Sequence, residues 1–258
     1  MSGQKKEIST LVCGVGVGGV FYHGLSMMSN FIQKREDVGL LLLDHDVVEE
    51  KNRLRQWGFG VGESKVSVAE KILSPLTSGC LIGTVVGKIE TVKTLQEEVL
   101  KFAQRVQETG EYEMKVQRIF VIHAPDNHLC RMLVHEGCGS LQRLVKKPVI
   151  EITGGNTVRD GYAYGCRHED SGCLGDFLKR HPDIKISAEN EIKKIESPMP
   201  CGGLEETVEQ TSHSNSLTAN CIWSLAEKMS RSDFVGEIIW STDEDNRVWI
   251  QEKEVRIG

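Results

Sequence analysis

Short apolar segments alternate with longer amphipathic segments along residues 10–155. The apolar segments have the length of buried strands and cover residues 10–13, 38–43, 81–86, 119–123 and 148–153. In the amphipathic segment 89–107, apolar side chains recur at helical spacing. Strands that alternate with helices predict an α/β fold: a Rossmann-like, doubly wound, mostly parallel sheet with helices on both faces.

The second part of the chain is less regular. Residues 205–229 have helical spacing, and residues 236–241 and 247–251 alternate in a way that predicts a C-terminal β-hairpin with one buried face. We therefore expect a Rossmann-like domain at 1–165 and an irregular crossover segment at 166–204. The helix and hairpin at 205–258 are expected to complete the same domain. A long irregular segment inside a compact domain is usually functional.

Composition and charge exclude several classes of function. The hydrophobic content of 39% and charged content of 26% are typical of a soluble globular protein. The net charge of −6 indicates no broad affinity for nucleic acid, and no apolar segment has the length of a membrane span. The first residues lack the apolar region of a signal peptide, so we expect a cytoplasmic location.

A glycine-rich turn follows the first predicted strand and opens a helix predicted at about 17–32. Its glycines are Gly14, Gly16, Gly18 and Gly19, of which Gly14, Gly16 and Gly19 fit the pattern G-x-G-x-x-G. Such a turn lets the backbone approach a phosphate, and the free N–H groups of the helix start bind anionic oxygen. The next buried strand ends in Asp44, at the place where an acid usually binds ribose hydroxyls.

A cluster of polar and cationic residues follows this acid. It consists of Asp46, Asn52, Arg55, Gln56 and Lys65. A dinucleotide carries only a diphosphate and gives fixed cations no task, whereas cations directed at one site suit a triphosphate whose pyrophosphate must leave. Taken singly, Arg55 and Lys65 would be read as solvated surface charges. Their spacing after the glycine turn favours a nucleotide site.

The order of these motifs resembles the adenylation domain of the ThiF/MoeB/HesA-like family of the ubiquitin-activating enzyme superfamily. The matching segments are the glycine turn, Asp44-His45-Asp46, Asn52-Arg53-Leu54-Arg55-Gln56, Gly62-Glu63-Ser64-Lys65 and an Asp126-Asn127 pair followed by Arg131. Leu54 departs from the family pattern, which usually has Asn or Gln there, so its side chain offers no polar contact to the nucleotide or metal.

The resemblance implies an enzyme that activates a ubiquitin-like or sulfur-carrier protein ending in glycine. In that reaction the carrier's C-terminal carboxylate attacks the α-phosphorus of Mg-ATP. By resemblance, Arg55 and Lys65 stabilise the triphosphate and Asp126 holds Mg²⁺, while Asp44 or Asp46 binds ribose. Asn52, Gln56 and Asn127 complete the nucleotide site. Asp126 could also simply N-cap the following helix. The family also implies a homodimer.

Cys201 lies between Pro200 and Gly202 and shortly before a predicted helix, where the helix dipole favours a thiolate. The context resembles the P-x-C-T of the catalytic cysteine in ubiquitin-activating enzymes, with Gly202 in place of Thr. The resemblance implies thioester formation on Cys201 and transfer to a conjugating enzyme. The alternative is an inert loop cysteine, the more common case for any one of the eight cysteines.

Other interpretations stay open at this stage. The chain could adenylate a sulfur carrier without a thioester step, act on a carboxylate of tRNA, bind NAD, or be a non-catalytic scaffold. The four-cysteine zinc site of many relatives has no matching spacing here, because no pair is spaced C-x-x-C. Cys166, His168 and Cys173 could supply ligands, but loop Cys and His residues at irregular spacing are more often unliganded.

Overall fold

The computed structural model describes residues 5–35, 37–52, 60–125, 127–157, 159–168, 174–182, 212–245 and 247–254. The strands are β1 (Lys6–Val15), β2 (Val38–Asp44), β3 (Leu81–Val86), β4 (Tyr112–His123), β5 (Val149–Asn156), β6 (Asp160–Arg167), β7 (Gly236–Thr242) and β8 (Val248–Glu254). The helices are α1 (Gly19–His23), α2 (Leu25–Gln33), α3 (Lys65–Leu73), α4 (Val92–Thr109), α5 (His128–Val145), α6 (Leu174–Arg180) and α7 (Ser212–Arg231).

The described strands form one eight-stranded sheet in the order β3-β2-β1-β4-β5-β6-β7-β8. Strands β1 to β5 pair in parallel, and β5 to β8 pair antiparallel. The chain winds outward from β1 to β3 and then returns to the other side of β1 as β4. The predicted mostly parallel, Rossmann-like sheet with a C-terminal hairpin is confirmed. The point where the winding reverses lies between β1 and β4.

Two hydrophobic cores cover the two faces of the sheet. On one face, Leu42 of β2 packs with Phe31 of α2 and Trp223 of α7. On the other face, Leu41 packs with residues of α4 and α5, including Phe102. All seven residues of β2 are buried, as expected for a central parallel strand that has helices on both sides.

Two predicted element boundaries are corrected by the structure. The helix predicted at about 17–32 is two helices that meet at Gly24, where a Cβ would lie 2.4 Å from Nε1 of Trp223. Strand β4 begins at Tyr112, well before the predicted residue 119. Its first half alternates between partly buried and exposed residues, so only its second half has the continuous apolar character of a central strand.

The C-terminal hairpin has a different environment from the one predicted. Strand β7 is largely buried, with Trp240 fully inside, whereas all seven residues of β8 are exposed. The prediction of one buried face on both strands is therefore wrong for β8. Its exposed Trp249 and Ile250 lie at the outer edge of the sheet.

The described part of segment 166–204 is regular. Strand β6 continues to Arg167, and helix α6 covers Leu174–Arg180. Phe177 of α6 stacks on Tyr164 of β6 at a ring-centroid distance of 4.7 Å. None of the described helices has both the length and the apolar composition needed to cross a bilayer.

Candidate nucleotide-binding site

The glycine turn lies at the reversal point of the sheet, between the carboxyl ends of β1 and β4. Gly16 has a φ of 75°, and a Cβ there would lie 3.0 Å from the backbone of Pro125. The N–H of Ala124 donates to the carbonyl of Val15 at 3.3 Å, so the turns that follow β1 and β4 approach each other closely. No side chain caps the first turn of α1, which begins after Gly18. Ligands of open α/β sheets bind in this crevice.

Asp44 links the end of β2 to the glycine turn. One carboxylate oxygen accepts the N–H of Val17 at 2.6 Å, and the other accepts the N–H of Asp46 at 2.8 Å. Burial raises the pKa of Asp44, and the hydrogen bond from Asp46, the nearby Lys65 and the hydrogen bond from Val17 act in the opposite direction. The carboxylate therefore organises the turn directly, and each oxygen has a further lone pair for a ligand hydroxyl.

Lys65 is the cation that the structure places beside this acid. It is the first residue of α3, and its Nζ lies 2.6 Å from Oδ2 of Asp46. The side chain of Lys65 is 11% exposed, whereas that of Asp46 is 41% exposed. The ammonium of Lys65 can therefore replace its contact with Asp46 by a contact with an incoming anion, because the Asp46 carboxylate is half-exposed to solvent.

The segment between Asp46 and Lys65 is closed at its base by backbone contacts. Val47 and Ser64 form an isolated antiparallel bridge, and Val48 donates to the carbonyl of Glu63 at 2.8 Å. The N–H of Lys65 donates to the carbonyl of Asp46 at 3.1 Å. Residues 49–62 thus begin and end beside the Asp46–Lys65 pair. The predicted Arg55 and Gln56 fall within this range of the sequence but lie outside the described residues.

Asn52 and Asn127 both hold local backbone. The side chain of buried Asn52 accepts the N–H of Glu49 at 2.9 Å. Asn127 is the N-cap of α5, and its side chain accepts the N–H of Cys130 at 2.7 Å. The cap is therefore Asn127 rather than Asp126. Asp126 itself and Cys201 lie outside the described residues.

Arg131 of α5 fixes the turn that follows β4. Its guanidinium donates to the carbonyl of Pro125 and to the hydroxyl of Tyr162, both at 2.8 Å. It is buried, and a Cβ on Gly155 would lie 2.6 Å from the guanidinium. The motif arginine is thus a positioning residue for the turn that leads to Asp126.

The model of the ThiF family matches residues 3–211, which include every element of this site. The chain belongs to the ThiF family. No curated protein sequence matched it.

Solved structures share the fold of this ThiF-family chain at low sequence identity. The crystal structure of selenomethionyl PaaA has a TM-score of 0.63 at 19% identity, covering 96% of this chain and 73% of PaaA. E. coli MccB with ATP has a TM-score of 0.57 at 16% identity, covering 96% of this chain and 64% of MccB. E. coli MccB with AMPCPP and MccA has a TM-score of 0.59 at 18% identity, covering 100% of this chain and 65% of MccB. The chain thus spans less than two thirds of MccB.

A second polar cluster in the ThiF-family chain was not predicted as a unit. It surrounds the buried carboxylate of Glu151 on β5 and consists of His123, His135, Cys166 and His168. The sequence indicates Cys166 and His168 as candidate ligands, but its spacing does not indicate Glu151, His123 or His135. The available signal was a glutamate inside the apolar run 149–152, because a buried charge needs partners.

Proposed function

We propose that this chain uses Mg-ATP to adenylate the C-terminal carboxylate of a protein or peptide. The observation that carries the proposal is Lys65, a buried cation beside the glycine turn at the reversal point of the sheet. Membership of the ThiF family supports the same reaction. NAD binding would not explain the Asp46–Lys65 pair, because NAD has no leaving pyrophosphate for Lys65 to stabilise.

In the proposed reaction, a carboxylate oxygen bonds to the α-phosphorus and the bond from this phosphorus to the pyrophosphate oxygen breaks. Little acid or base chemistry is needed, because no proton is transferred when an ionised carboxylate attacks. The main requirements are alignment and neutralisation of charge. The N–H groups that follow Gly18 face the phosphates, and Lys65 moves from Asp46 to the leaving pyrophosphate.

Magnesium fits the donor set on this side of the site. Asp44 and Asp46 offer carboxylate oxygens, the ligands that Mg²⁺ prefers, within 4.8 Å of each other. Bound Mg²⁺ would neutralise phosphate charge. We propose Asp126 as its main ligand, with Arg55 on the triphosphate. Asn52, Gln56 and Asn127 are proposed to support the nucleotide by orienting the loops that hold it.

The substrate is proposed to be a ubiquitin-like protein that ends in glycine. A structure of E. coli MccB with AMPCPP and MccA supports a protein or peptide partner, because MccB shares the fold. A sulfur-carrier protein is the second candidate, since it presents the same terminal carboxylate. A cytoplasmic homodimer is the proposed setting.

Cys201 is proposed to complete the sequence of steps for a ubiquitin-like substrate. Its thiolate would attack the acyl carbon of the adenylate, a C–S bond would form, and AMP would leave with the electron pair of the C–O bond. The thioester would then pass to a conjugating enzyme. The proline-flanked sequence around Cys201 supports this step.

Intact-mass spectrometry tests the proposal. The full chain is mixed with Mg-ATP and a ubiquitin-like protein ending in glycine, without reductant, and both proteins are weighed. We expect AMP on the carrier, pyrophosphate in solution, and a carrier–enzyme adduct that dithiothreitol removes. Cys201→Ala should abolish the adduct and keep the adenylated carrier, with Cys221→Ala as the matched control.

Two other results of the mass-spectrometry experiment would change or overturn the proposed function. Adenylated carrier without an enzyme adduct would assign the chain to the sulfur-carrier type and make Cys201 structural. No AMP transfer to any carrier ending in glycine, together with binding of NAD in competition with ATP, would overturn adenylation.

A further inference from the structure

The buried carboxylate of Glu151 on β5 is surrounded by nitrogen and sulfur atoms from α5, from β6 and from the residue that follows β6. Nδ1 of His135 on α5 lies 2.6 Å from its Oε2, and Nε2 of His168 lies 2.7 Å from the same oxygen. The thiol of Cys166 on β6 lies 3.6 Å from this oxygen and 3.9 Å from Nε2 of His168. These ligand atoms all lie within 4.8 Å of one another.

The convergence on one oxygen is unusual for a simple hydrogen-bonded network. A carboxylate oxygen has about two lone pairs. Oε2 of Glu151 faces two imidazole nitrogens and a thiol, so three polar groups approach an oxygen that has two lone pairs. Removing several polar groups from water at a single buried point costs free energy, and hydrogen bonds among these groups offset that cost only in part. A cation at that point would bind all of them.

The donor set matches a zinc ion in number, type and charge. Zinc in closed protein sites takes four ligands from Cys sulfur, His nitrogen and carboxylate oxygen in a tetrahedron. One thiolate, one carboxylate and two neutral imidazoles would cancel the 2+ charge, so the filled site would bury no net charge. Glu151 and Cys166 are buried, and the side chains of His135 and His168 are 14% and 4% exposed.

The outer contacts of the cluster are those that orient a metal-bound carboxylate. The second oxygen of Glu151 lies 2.7 Å from Nε2 of His123, which is fully buried at the end of β4. Thr153 in turn lies 3.5 Å from Nδ1 of His123. Such partners hold a ligand in place and typically change metal affinity by about 10- to 100-fold when they are removed.

We infer that His135, Glu151, Cys166 and His168 bind one Zn²⁺ ion in a closed, structural site that joins α5, β5 and β6. Binding requires the N···O distances to open from 2.6–2.7 Å to about 3.4 Å, the edge of a tetrahedron with zinc–ligand bonds near 2.1 Å. The thiol of Cys166 loses its proton to solvent as its sulfur bonds to zinc. The site does not depend on the proposed adenylation.

Cobalt substitution tests the site on the full chain without an affinity tag. Metal is removed with a chelator, one equivalent of Co²⁺ is added, and absorption spectra are recorded. We expect intense visible bands of tetrahedral Co²⁺ and a near-ultraviolet thiolate-to-cobalt band, both lost when Zn²⁺ displaces the cobalt. Cys166→Ser should remove the thiolate band. Cys221→Ser, which changes a buried thiol of α7 outside the four-ligand set, should keep it.

Metal content gives a second measurement that does not require a stable variant. The wild-type chain purified from zinc-supplemented medium should retain about one zinc per chain after dialysis. Wild-type protein that binds no Co²⁺ or Zn²⁺, or that binds Co²⁺ without a thiolate band, would overturn the four-ligand site. Unchanged bands in both Cys166→Ser and His168→Ala would do the same. A fully metal-free cluster would then be a proton-linked network around Glu151.

Discussion

At the scale of single residues, Lys65 has the clearest expected effect on nucleotide binding. Lys65→Ala should weaken Mg-ATP binding by about 10- to 100-fold, because one charge-assisted contact is worth about 1.5–3 kcal/mol. Isothermal titration with a non-hydrolysable ATP analogue measures this. Lys65→Arg is the matched control, since it keeps the positive charge next to Asp46. Equal affinity for wild type and Lys65→Ala would show that the phosphates lie elsewhere.

The cysteines should differ sharply in reactivity. Burial raises the pKa of Cys80 to about 12 and that of Cys221 to about 11, and burial also raises the pKa of Cys13 strongly. At pH 8 these thiols are almost entirely protonated, so each should react with iodoacetamide at least about 100-fold more slowly than an ordinary exposed cysteine. Peptide mapping of the native protein at increasing times measures the rates. If Cys201 is the nucleophile, it should be among the first cysteines to react.

At the scale of elements, the close approach of the turns after β1 and β4 can be tested with two glycines of similar φ. Gly16 has a φ of 75° and faces the backbone of Pro125, whereas Gly110 has a φ of 70° and nothing within 4 Å. Both alanine substitutions impose left-handed strain of about 1–2 kcal/mol. Only Gly16→Ala adds a contact with a rigid backbone.

We therefore expect Gly16→Ala to lower the free energy of unfolding by at least about 1 kcal/mol more than Gly110→Ala. Urea denaturation of both variants measures the difference. The same Gly16→Ala protein should bind ATP more weakly, because the glycine turn would have to move. If the two variants lost equal stability, the turns would have room that the structure does not show.

The strands and the site differ in how well the sequence predicted them. Continuous apolar runs and the glycine turn are local patterns, so the parallel strands and the position of Asp44 beside the turn follow from them. The first half of β4 was missed although Tyr112, Met114 and Val116 alternate with polar residues, a signal weaker than a continuous run. Alternation in β8 predicted one buried face, but all of its residues are exposed. Alternation alone does not show whether another element packs on that face.

The cluster around Glu151 illustrates the other limit. Its members come from β4, β5, β6, α5 and the residue after β6, and only the strand register places Cys166 opposite Glu151. Spacing along the chain carries no such information, because the cluster forms only when the antiparallel β6 folds back on β5 beneath α5. A buried glutamate in a strand indicates that partners exist, but it does not identify them.

At the scale of the whole molecule, the two sites occupy connected parts of one sheet. His123, the last residue of β4, contacts Glu151. In the turn after β4, the carbonyl of Pro125 accepts a hydrogen bond from Arg131, and the backbone of Pro125 lies next to Gly16 of the nucleotide site. The antiparallel half of the sheet therefore supports the parallel half at the reversal point. We therefore expect zinc binding to raise the stability of the whole domain, which should unfold as one cooperative unit, and not the stability of β6 alone.

Metal removal should lower the stability of the entire chain. A ligand that binds only the folded state at about a thousand times its Kd contributes about 4 kcal/mol, which corresponds to a shift in Tm of about 10 °C for a domain of this size. Differential scanning calorimetry of zinc-loaded and chelator-treated protein measures the shift. Glu151→Gln should melt at the same temperature with and without zinc, because the neutral amide is a much weaker ligand. A single transition that moves as a whole would show that the cluster is coupled to the nucleotide-binding half. If only the antiparallel half of the chelator-treated protein unfolded at a lower temperature, the transition would split in two. That result would show that the cluster stabilises only α5, β5 and β6.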